Sequence, residues 1–520
     1  MARPAPEAKA RRGPAPSPGW LDWLERAGNR LPDPATLFLL GTGAVIVASQ
    51  VVATTGLRVA RPGGEGGDEL VAVGLLTSDG LYWLLENLVD NFVRFPPLGI
   101  VLVGMLGIGV AERSGFVGAL LRALLLAVPQ RLLTPAVFLV GVLSSVALDA
   151  GYVVLPPVAA ALFHAVGRPP VVGLAAVFAG VSAGFSANLV VTGLDPLLAG
   201  FSEAGARIVD PGYRVAATAN WWFMIASTFV LTAIGWAVTA RFVEPRYRDR
   251  PPEEGGTPPP VPEAEEGDAE GRALRAALVA LAVLGLLVGA AVLIPGAPLH
   301  GSGGRFPRWV TTIVPLLFLG FLVPGVAYGV RAGTVHSDRD VARLMGETMA
   351  AMGPYIVLAF FAAQFVAAFA HSGLGEMVAV AGGRALARAA LPTPVLLLAF
   401  IALVSVANLF IGSMSAKYAF LAPVFVPMFM QVGVSPELVQ AAYRVGDSVT
   451  NVITPLNPYL VIILVFLRRY IPRAGIGTLV ALMLPYSVAF LLAWSALLLV
   501  FVGLGLELGP AGPLRVPPAG

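Results

Sequence analysis

The chain has 520 residues, 57% of them hydrophobic and only 12% charged, with a mean hydropathy of +0.80. A soluble protein of this length divides into several cores, each needing a polar shell, and 34 Lys+Arg with 31 Asp+Glu cannot cover them. The net charge of +3 gives no basic surface for nucleic acid, and the absence of cysteine removes disulfides, thiolate nucleophiles and cysteine-ligated metals.

The first twenty residues are proline-rich and basic, with no apolar run ending at a small-residue cleavage site, so they do not read as a cleavable signal peptide. Residues 1–34 are expected to be a cytoplasmic segment, because lysine and arginine are retained on that side. A bilayer core takes about 20 apolar residues as a helix. On that basis the first span is 35–55, and others lie near 97–127, 171–200, 219–240, 273–294, 310–332, 350–371, 435–467 and 475–502. Glu112 and Arg113 interrupt the second of these and read as a local break or a packed pair. Two further apolar stretches, 134–166 and 393–432, are too long for one helix and are broken by Ser, Asp, Gly and Lys, which suits re-entrant hairpins. The expected fold class is an all-α integral membrane protein of about nine transmembrane helices plus two hairpins.

Residues 241–275 are rich in Arg, Glu and Pro and cannot bury a core, so they read as a cytoplasmic linker between a first half, 35–240, and a second half, 276–505. The tail is 506–520. This topology puts the acidic loop 57–91 outside, and Arg384 and Arg388 with it, against the charge rule. The multi-pass chain is expected in the cell inner (plasma) membrane.

Sliding the chain on itself by 266 residues superposes Asp149–Ser182 on Ser415–Ser448 without a gap. Thirteen pairs are identical, among them Tyr152/Tyr418, Pro157/Pro423, Gly167/Gly433, Pro170/Pro436 and Gly180/Gly446. Each copy is a hairpin followed by a broken helix, and the topology count enters them from opposite sides. Inverted repeats of that kind build secondary transporters, whose discontinuous helices meet near the midplane around substrate and ion.

The broken helices read AGVSAGFSANLVVTGLDPLLAG and YRVGDSVTNVITPLNPYLVI. Proline after Asp195 and Asn457 removes an intrahelical bond and frees a carbonyl that can hold a cation. At the same offset Phe178 becomes Arg444, Val181 becomes Asp447 and Phe185 becomes Asn451, so the second copy carries the charge. Arg or Asp at helix centre costs roughly 2.5–3.5 kcal/mol on insertion, which marks these positions for a role. Arg444 and Asp447 share a helix face: either they pair with each other, or Arg444 takes a substrate carboxylate and Asp447 a coupling ion. Asp447 with Ser448, Asn451 and freed carbonyls suits Na⁺; a partly buried carboxylate suits H⁺. In the first half Asp149, Ser186, Asn188 and Asp195 are candidates, Asp195 also as a helix cap. Hairpin 2 offers Asn408, Ser413, Ser415, Lys417 and Tyr418, whose ring could stack on an aromatic substrate or anchor the tip.

The four histidines are isolated, so no metal site is expected apart from possible Na⁺, and no cofactor. No G-x-x-x-x-G-K-[ST] or G-x-S-x-G occurs, which argues against ATP-driven transport and against a hydrolase elbow.

From LERAGNRLPDPATLF through GFSANLVVTGLDPLLAG and GSMSAKYAFLAPVFVPMFM to AAYRVGDSVTNVITPLNPY the chain resembles the p-aminobenzoyl-glutamate transporter (AbgT) family. The resemblance implies a homodimer of protomers with nine membrane helices and two hairpins, moving p-aminobenzoyl-glutamate or exporting sulfonamide antimetabolites on an ion gradient. Carried over by motif, its important positions fall on Asp195, Asn408, Ser415, Tyr418, Pro436, Arg444, Asp447 and Pro455. The family's hairpin often carries Trp where this chain has Tyr418. The expected substrate-binding set is thus Asn408, Ser415, Tyr418, Pro436, Arg444 and Pro455, and the ion-coupling set Asn188, Asp195, Asp447, Ser448 and Asn451. The alternatives are a Na⁺-coupled dicarboxylate carrier, which the arginine favours, and an intramembrane hydrolase using Ser413 or Ser415 with Lys417.

Overall fold

The computed structural model describes residues 32–60, 69–147, 150–248 and 267–516. Asp149 lies outside them. Helices dominate, as the pattern predicts; the strands Arg58–Ala60 and Glu69–Val71 form one small antiparallel ribbon in the first loop. Among the described residues seven helices are long and apolar enough to cross a membrane: Pro34–Thr55, Pro96–Arg113, Trp221–Arg248, Ala269–Leu293, Ile313–Ala332, Gly353–His371 and Ile476–Leu504. Their outward faces carry Leu, Val and Ile, as a helix in lipid must.

The two broken helices complete the spans. The first runs Pro170–Phe178, widens into a π turn at Ala179–Ala183, leaves helical geometry, and resumes at Leu194–Ala206. The second runs Pro436–Val449 and resumes at Tyr459–Arg468. Each hairpin is a pair of helices too short to cross: Leu133–Leu143 with Ala150–Ala165, and Thr393–Asn408 with Met414–Met430.

Three boundaries differ from expectation. The span 97–127 is not one helix: it stops at Arg113, turns through Gly115 at φ +93°, and continues as Phe116–Leu126. A left-handed residue cannot sit inside a right-handed helix. Arg113 turns aside to Glu347, 3.6 Å away, and donates from Nε to Thr348 Oγ1 at 3.2 Å. The linker does not begin at 241, because helix Trp221–Arg248 runs on, held where Arg168 forks onto both oxygens of Glu244 at 3.0 and 2.9 Å. Helices Asp338–Ala351 and Leu374–Arg388 lie in stretches read as loops.

The repeat is structural as well as sequential. Gly167 and Gly433, equivalent by offset, are both left-handed, at φ +74° and +80°. Around them the same bonds recur: Arg168 N donates to Phe163 O at 2.8 Å, and its counterpart Val434 N to Phe429 O at 3.0 Å. Pro170 and Pro436 each open a helix, where a missing N–H costs nothing. Gly180 and Gly446 each let the broken helix touch the first arm of its own hairpin: a Cβ would stand 2.9 Å from Phe138 O or 2.6 Å from Ile401 O. The two repeats also exchange contacts. Tyr152 of hairpin 1 stacks on Tyr459 of the second broken helix, ring centroids 4.1 Å apart, while its counterpart Tyr418 packs edge-on against Phe201 of the first at 6.4 Å. Such reciprocity is what a two-fold relation between the copies requires.

Candidate functional site

The site lies where the second broken helix meets hairpin 2 and the resumed half of the first broken helix. Four charges are buried there in two ion pairs, and neither is the pair between neighbours on one helix face. Arg444 Nη2 donates to Asp195 Oδ1 at 2.5 Å, and its Nε to Asn220 Oδ1 at 3.2 Å. Lys417 lies 2.6 Å from Asp447 Oδ1. All four side chains are no more than 2% exposed. A charge so buried is stable only when paired and hydrogen-bonded, which explains the accessory partners. Asp195 Oδ2 accepts from Thr192 N at 2.6 Å and from Thr192 Oγ1 at 3.1 Å, so the carboxylate that pairs with Arg444 also ties the preceding loop to the first turn of its helix.

Hairpin 2 is fastened by Asn408. Its Nδ2 lies 2.7 Å from Asp447 O, 2.8 Å from Asn451 Oδ1 and 2.9 Å from Thr450 Oγ1, and its Oδ1 accepts from Lys417. Tyr443 OH reaches Met414 O at 2.6 Å and Asp447 Oδ1 at 3.2 Å. The two breaks touch through Ser182: Asn457 Nδ2 donates to its Oγ at 3.1 Å and Asn451 Nδ2 to its carbonyl at 3.4 Å. Asp447 Oδ2, Ser448 Oγ and Ser186 Oγ are buried with no partner. Unsatisfied polar atoms gathered at the breaks are costly and mark the place where an ion or substrate group supplies the missing bond.

The expected residues distribute unevenly. Asn408, Arg444, Asp447, Ser448, Asn451 and Asp195 come together. Asn188 does not join them directly: its Nδ2 donates to Ser145 Oγ at 2.8 Å, tying the first break to hairpin 1. Pro436 opens its helix eight residues before Arg444, about 12 Å along the axis. Pro455 is half-buried in the turn between the two helical halves. Ser415 sits near the hairpin tip, its Oγ 3.3 Å from that of Ser413, which itself caps the helix by accepting from Ala416 N.

Two of these side chains are already engaged within the protein. The Arg444 fork is not empty, since Asp195 and Asn220 occupy it. Nor is Tyr418 a free stacking platform: it is fully buried, its OH 2.7 Å from Ser202 Oγ and its ring 4.1 Å from that of Tyr443. Since Ser202 donates to Gln440 Oε1 at 2.9 Å, Tyr418 is the donor to Ser202. Lys417, committed to Asp447 and Asn408, serves neither hairpin serine.

Sequence reasoning missed Asn220, Ser202, Tyr443, Gln440 and Glu437, and named Lys417 at the hairpin without its partner Asp447. One signal was available. Glu437, Gln440, Arg444 and Asp447 follow one another by three, four and three residues, a polar stripe along one helix face. At its outer end Glu437 accepts from Tyr213 OH at 3.0 Å, and Asn220 Nδ2 donates to Glu437 O at 2.9 Å, so Asn220 joins Glu437 to Arg444.

The family model of the AbgT putative transporter family matches residues 19–516. This chain belongs to that family. It is 36% identical over 490 residues to the p-aminobenzoyl-glutamate transport protein of Escherichia coli K12, covering 94% of this chain and 95% of that one. Among solved structures it resembles the Alcanivorax borkumensis YdaH transporter, at 44% identity and a TM-score of 0.85 over 92% of this chain and all of that one. It also resembles Neisseria gonorrhoeae MtrF, described as illuminating a class of antimetabolite efflux pumps, at 42% identity and a TM-score of 0.89 over 95% of this chain and all of that one. The chain is thus a multi-pass membrane transporter of small molecules.

Proposed function

We propose that this AbgT-family member is a secondary transporter of p-aminobenzoyl-glutamate-like folate catabolites and sulfonamide antimetabolites, driven by an ion gradient. The observation that carries the reading is the pair of reciprocal repeats whose broken helices hold two ion pairs and three orphaned oxygens at the centre of the fold. Likeness to a p-aminobenzoyl-glutamate carrier and to an antimetabolite pump supports the substrate class.

In this reading the Arg444 guanidinium is the anchor for the substrate carboxylate, and Asp195 is the internal carboxylate that holds its place when the site is empty. Exchanging one carboxylate for another keeps the buried guanidinium paired throughout. Asp447, Ser448 and Asn451 form the ion-coupling group, with Asn188 and Ser186 supporting the first break; Asn408, Ser415, Tyr418, Pro436 and Pro455 shape the hairpin and the helix that close over the substrate. The working unit is a homodimer in the inner membrane with a cytoplasmic N-terminus.

The test is uptake by purified protein in liposomes under imposed pH or Na⁺ gradients. Accumulation of p-aminobenzoyl-glutamate that disappears in Arg444→Ala and in Asp447→Ala is expected. Accumulation undiminished in both would overturn the site. Accumulation of succinate in preference would favour the dicarboxylate carrier, and turnover without net movement would favour an enzyme.

A further inference from the structure

Lys417 is carried one turn below the tip of hairpin 2, in helix Met414–Met430, yet its ammonium is 1% exposed and lies 2.6 Å from Asp447 Oδ1. Asp447 therefore depends for its neutralisation on hairpin 2, not on its own helix. The groups facing that carboxylate can be named in full. Lys417 comes from one arm of hairpin 2 and Tyr443 from its own helix, while the Asn408 amide of the other arm bonds the Asp447 main-chain carbonyl. Tyr418 lies against Tyr443, and Arg444 is taken by Asp195 of the first broken helix. Helices Thr393–Asn408 and Ile476–Leu504 and the turn Ala179–Ala183, which also pack here, contain no charged residue. One oxygen, Oδ2, is left buried and unpartnered beside the orphaned Ser448 hydroxyl.

This arrangement has room for one cation charge at a time. A second charge brought to Asp447 while the ammonium stays would leave a surplus positive charge in a low-dielectric interior, and removing one partner of a buried pair is strongly unfavourable. A proton needs only the free lone pair of Oδ2. Na⁺ needs a cage of oxygens, and the other carboxylate of the site, Asp195, has both of its oxygens bonded to Arg444 and Thr192. Once Asp447 is neutral, Lys417 loses its counter-charge and keeps only the neutral Asn408 oxygen. Its four-carbon stem lets the ammonium move toward the partly exposed Ser413–Ser415 tip and water.

We propose that Lys417 is the coupling residue of this transporter: its ammonium competes with an incoming proton for Asp447, and its departure when the proton binds releases hairpin 2 from the broken helix. The inference rests on the transport reading above and names the ion and the group that senses it. In the closed state Asp447 is ionised and holds the hairpin through Lys417. In the released state Asp447 carries the proton and the hairpin is free to lift.

The chain contains no cysteine, so a single Thr450→Cys reports directly on the hairpin, because Asn408 covers Thr450 Oγ1 at 2.9 Å. In proteoliposomes, its labelling by a water-soluble thiol reagent, taken at each pH relative to that of a free thiol because the thiolate is the reacting form, is expected to accelerate about tenfold on acidification, a typical coupling. Adding Lys417→Gln should make labelling fast and insensitive to pH, and Lys417→Arg should keep the acid response. In parallel, Lys417→Gln should lower gradient-driven accumulation about tenfold and substrate-for-substrate exchange by clearly less than that. If Lys417→Gln fails to fold, the charge-neutral double variant Lys417→Met, Asp447→Asn takes its place and should label fast at every pH. An acid response of native size in either variant overturns the proposal. So does loss of exchange and drive together in both Lys417→Gln and Lys417→Arg, which would mark a purely structural lysine. The labelling needs no substrate: an acid-responsive chain that moves no p-aminobenzoyl-glutamate would sink the substrate reading and leave this one standing.

Discussion

Arg444 shows how a single side chain is placed by everything around it. Its helix supplies only the direction; the partners come from Asp195 and Asn220, more than two hundred residues earlier. Removing either member of the Arg444–Asp195 pair strands the other in the interior, so Arg444→Ala and Asp195→Ala should each lower stability by about 3–5 kcal/mol. Replacing both with apolar residues, Arg444→Met with Asp195→Leu, should cost clearly less than the sum, because no charge is left unpaired. Thermal unfolding in detergent measures the cycle, and additive losses would refute a direct pair. Tyr418→Phe deletes only the hydroxyl bonded to Ser202 and should cost about 1 kcal/mol. If transport by Tyr418→Phe nevertheless matches the parent, the ring's packing rather than its polar end is what the site uses.

At the scale of elements, the repeat survives in the residues that let helices approach and turn. Gly446 brings the second broken helix within contact of the hairpin backbone at Ile401, and the same contact places Ser405 Oγ 3.1 Å from Gly446 O. Gly446→Ala would put a Cβ 2.6 Å from Ile401 O, where backbone cannot yield cheaply. The arm must shift, Asn408 with it, and a stability loss of about 1–3 kcal/mol with loss of transport is expected. Gly180→Ala should do the same to hairpin 1, and wild-type melting of both variants would show that the approach is not tight. Outside the membrane, helix Asp338–Ala351 is started by Ser337 and Asp340 as reciprocal caps. The backbone N–H of His336, with that of Ser337, holds the half-buried Asp340 carboxyl below the usual aspartate range. A depressed folded pKa means that the cap contributes above the unfolded value and is lost as pH falls through the folded one. Protection of the first amides of this helix, measured relative to their intrinsic exchange rate at each pH, should therefore fall only in acid, and protection unchanged there would contradict the cap.

For the molecule as a whole, the two halves are closed by a segment outside the repeat. Beyond helix Ile476–Leu504 the tail folds back over the ends of both halves. Leu508 O accepts from Phe223 N at 2.9 Å, Pro510 O from Thr218 Oγ1 at 2.8 Å, Pro513 O from Ser435 Oγ at 2.6 Å and Leu514 O from Ser435 N at 3.2 Å. Leu508 is wholly buried. Truncation before Leu508 removes four acceptors and one buried side chain, and should lower stability by roughly 2–4 kcal/mol. An unaltered melting temperature in the truncated chain would show that the tail rests on the fold without supporting it.

The amino-acid pattern alone determined the membrane class, most span positions, both hairpins and the repeat, because each depends on local composition: apolar run length, proline and glycine placement, and spacing along one helix. It also singled out Arg444 and Asp447, since charge at lipid depth is conspicuous wherever it stands. It could not say with whom they pair. Sequence neighbours on one helix face suggested each other, whereas Asp195 and Lys417 reach them from elements distant in the chain. Pairing of buried charges is decided by which helices face one another, a property of the assembled fold. Tyr418 illustrates the same division: its place on the hairpin was legible, but its burial against Ser202 and Tyr443 followed only from how the second repeat docks on the first.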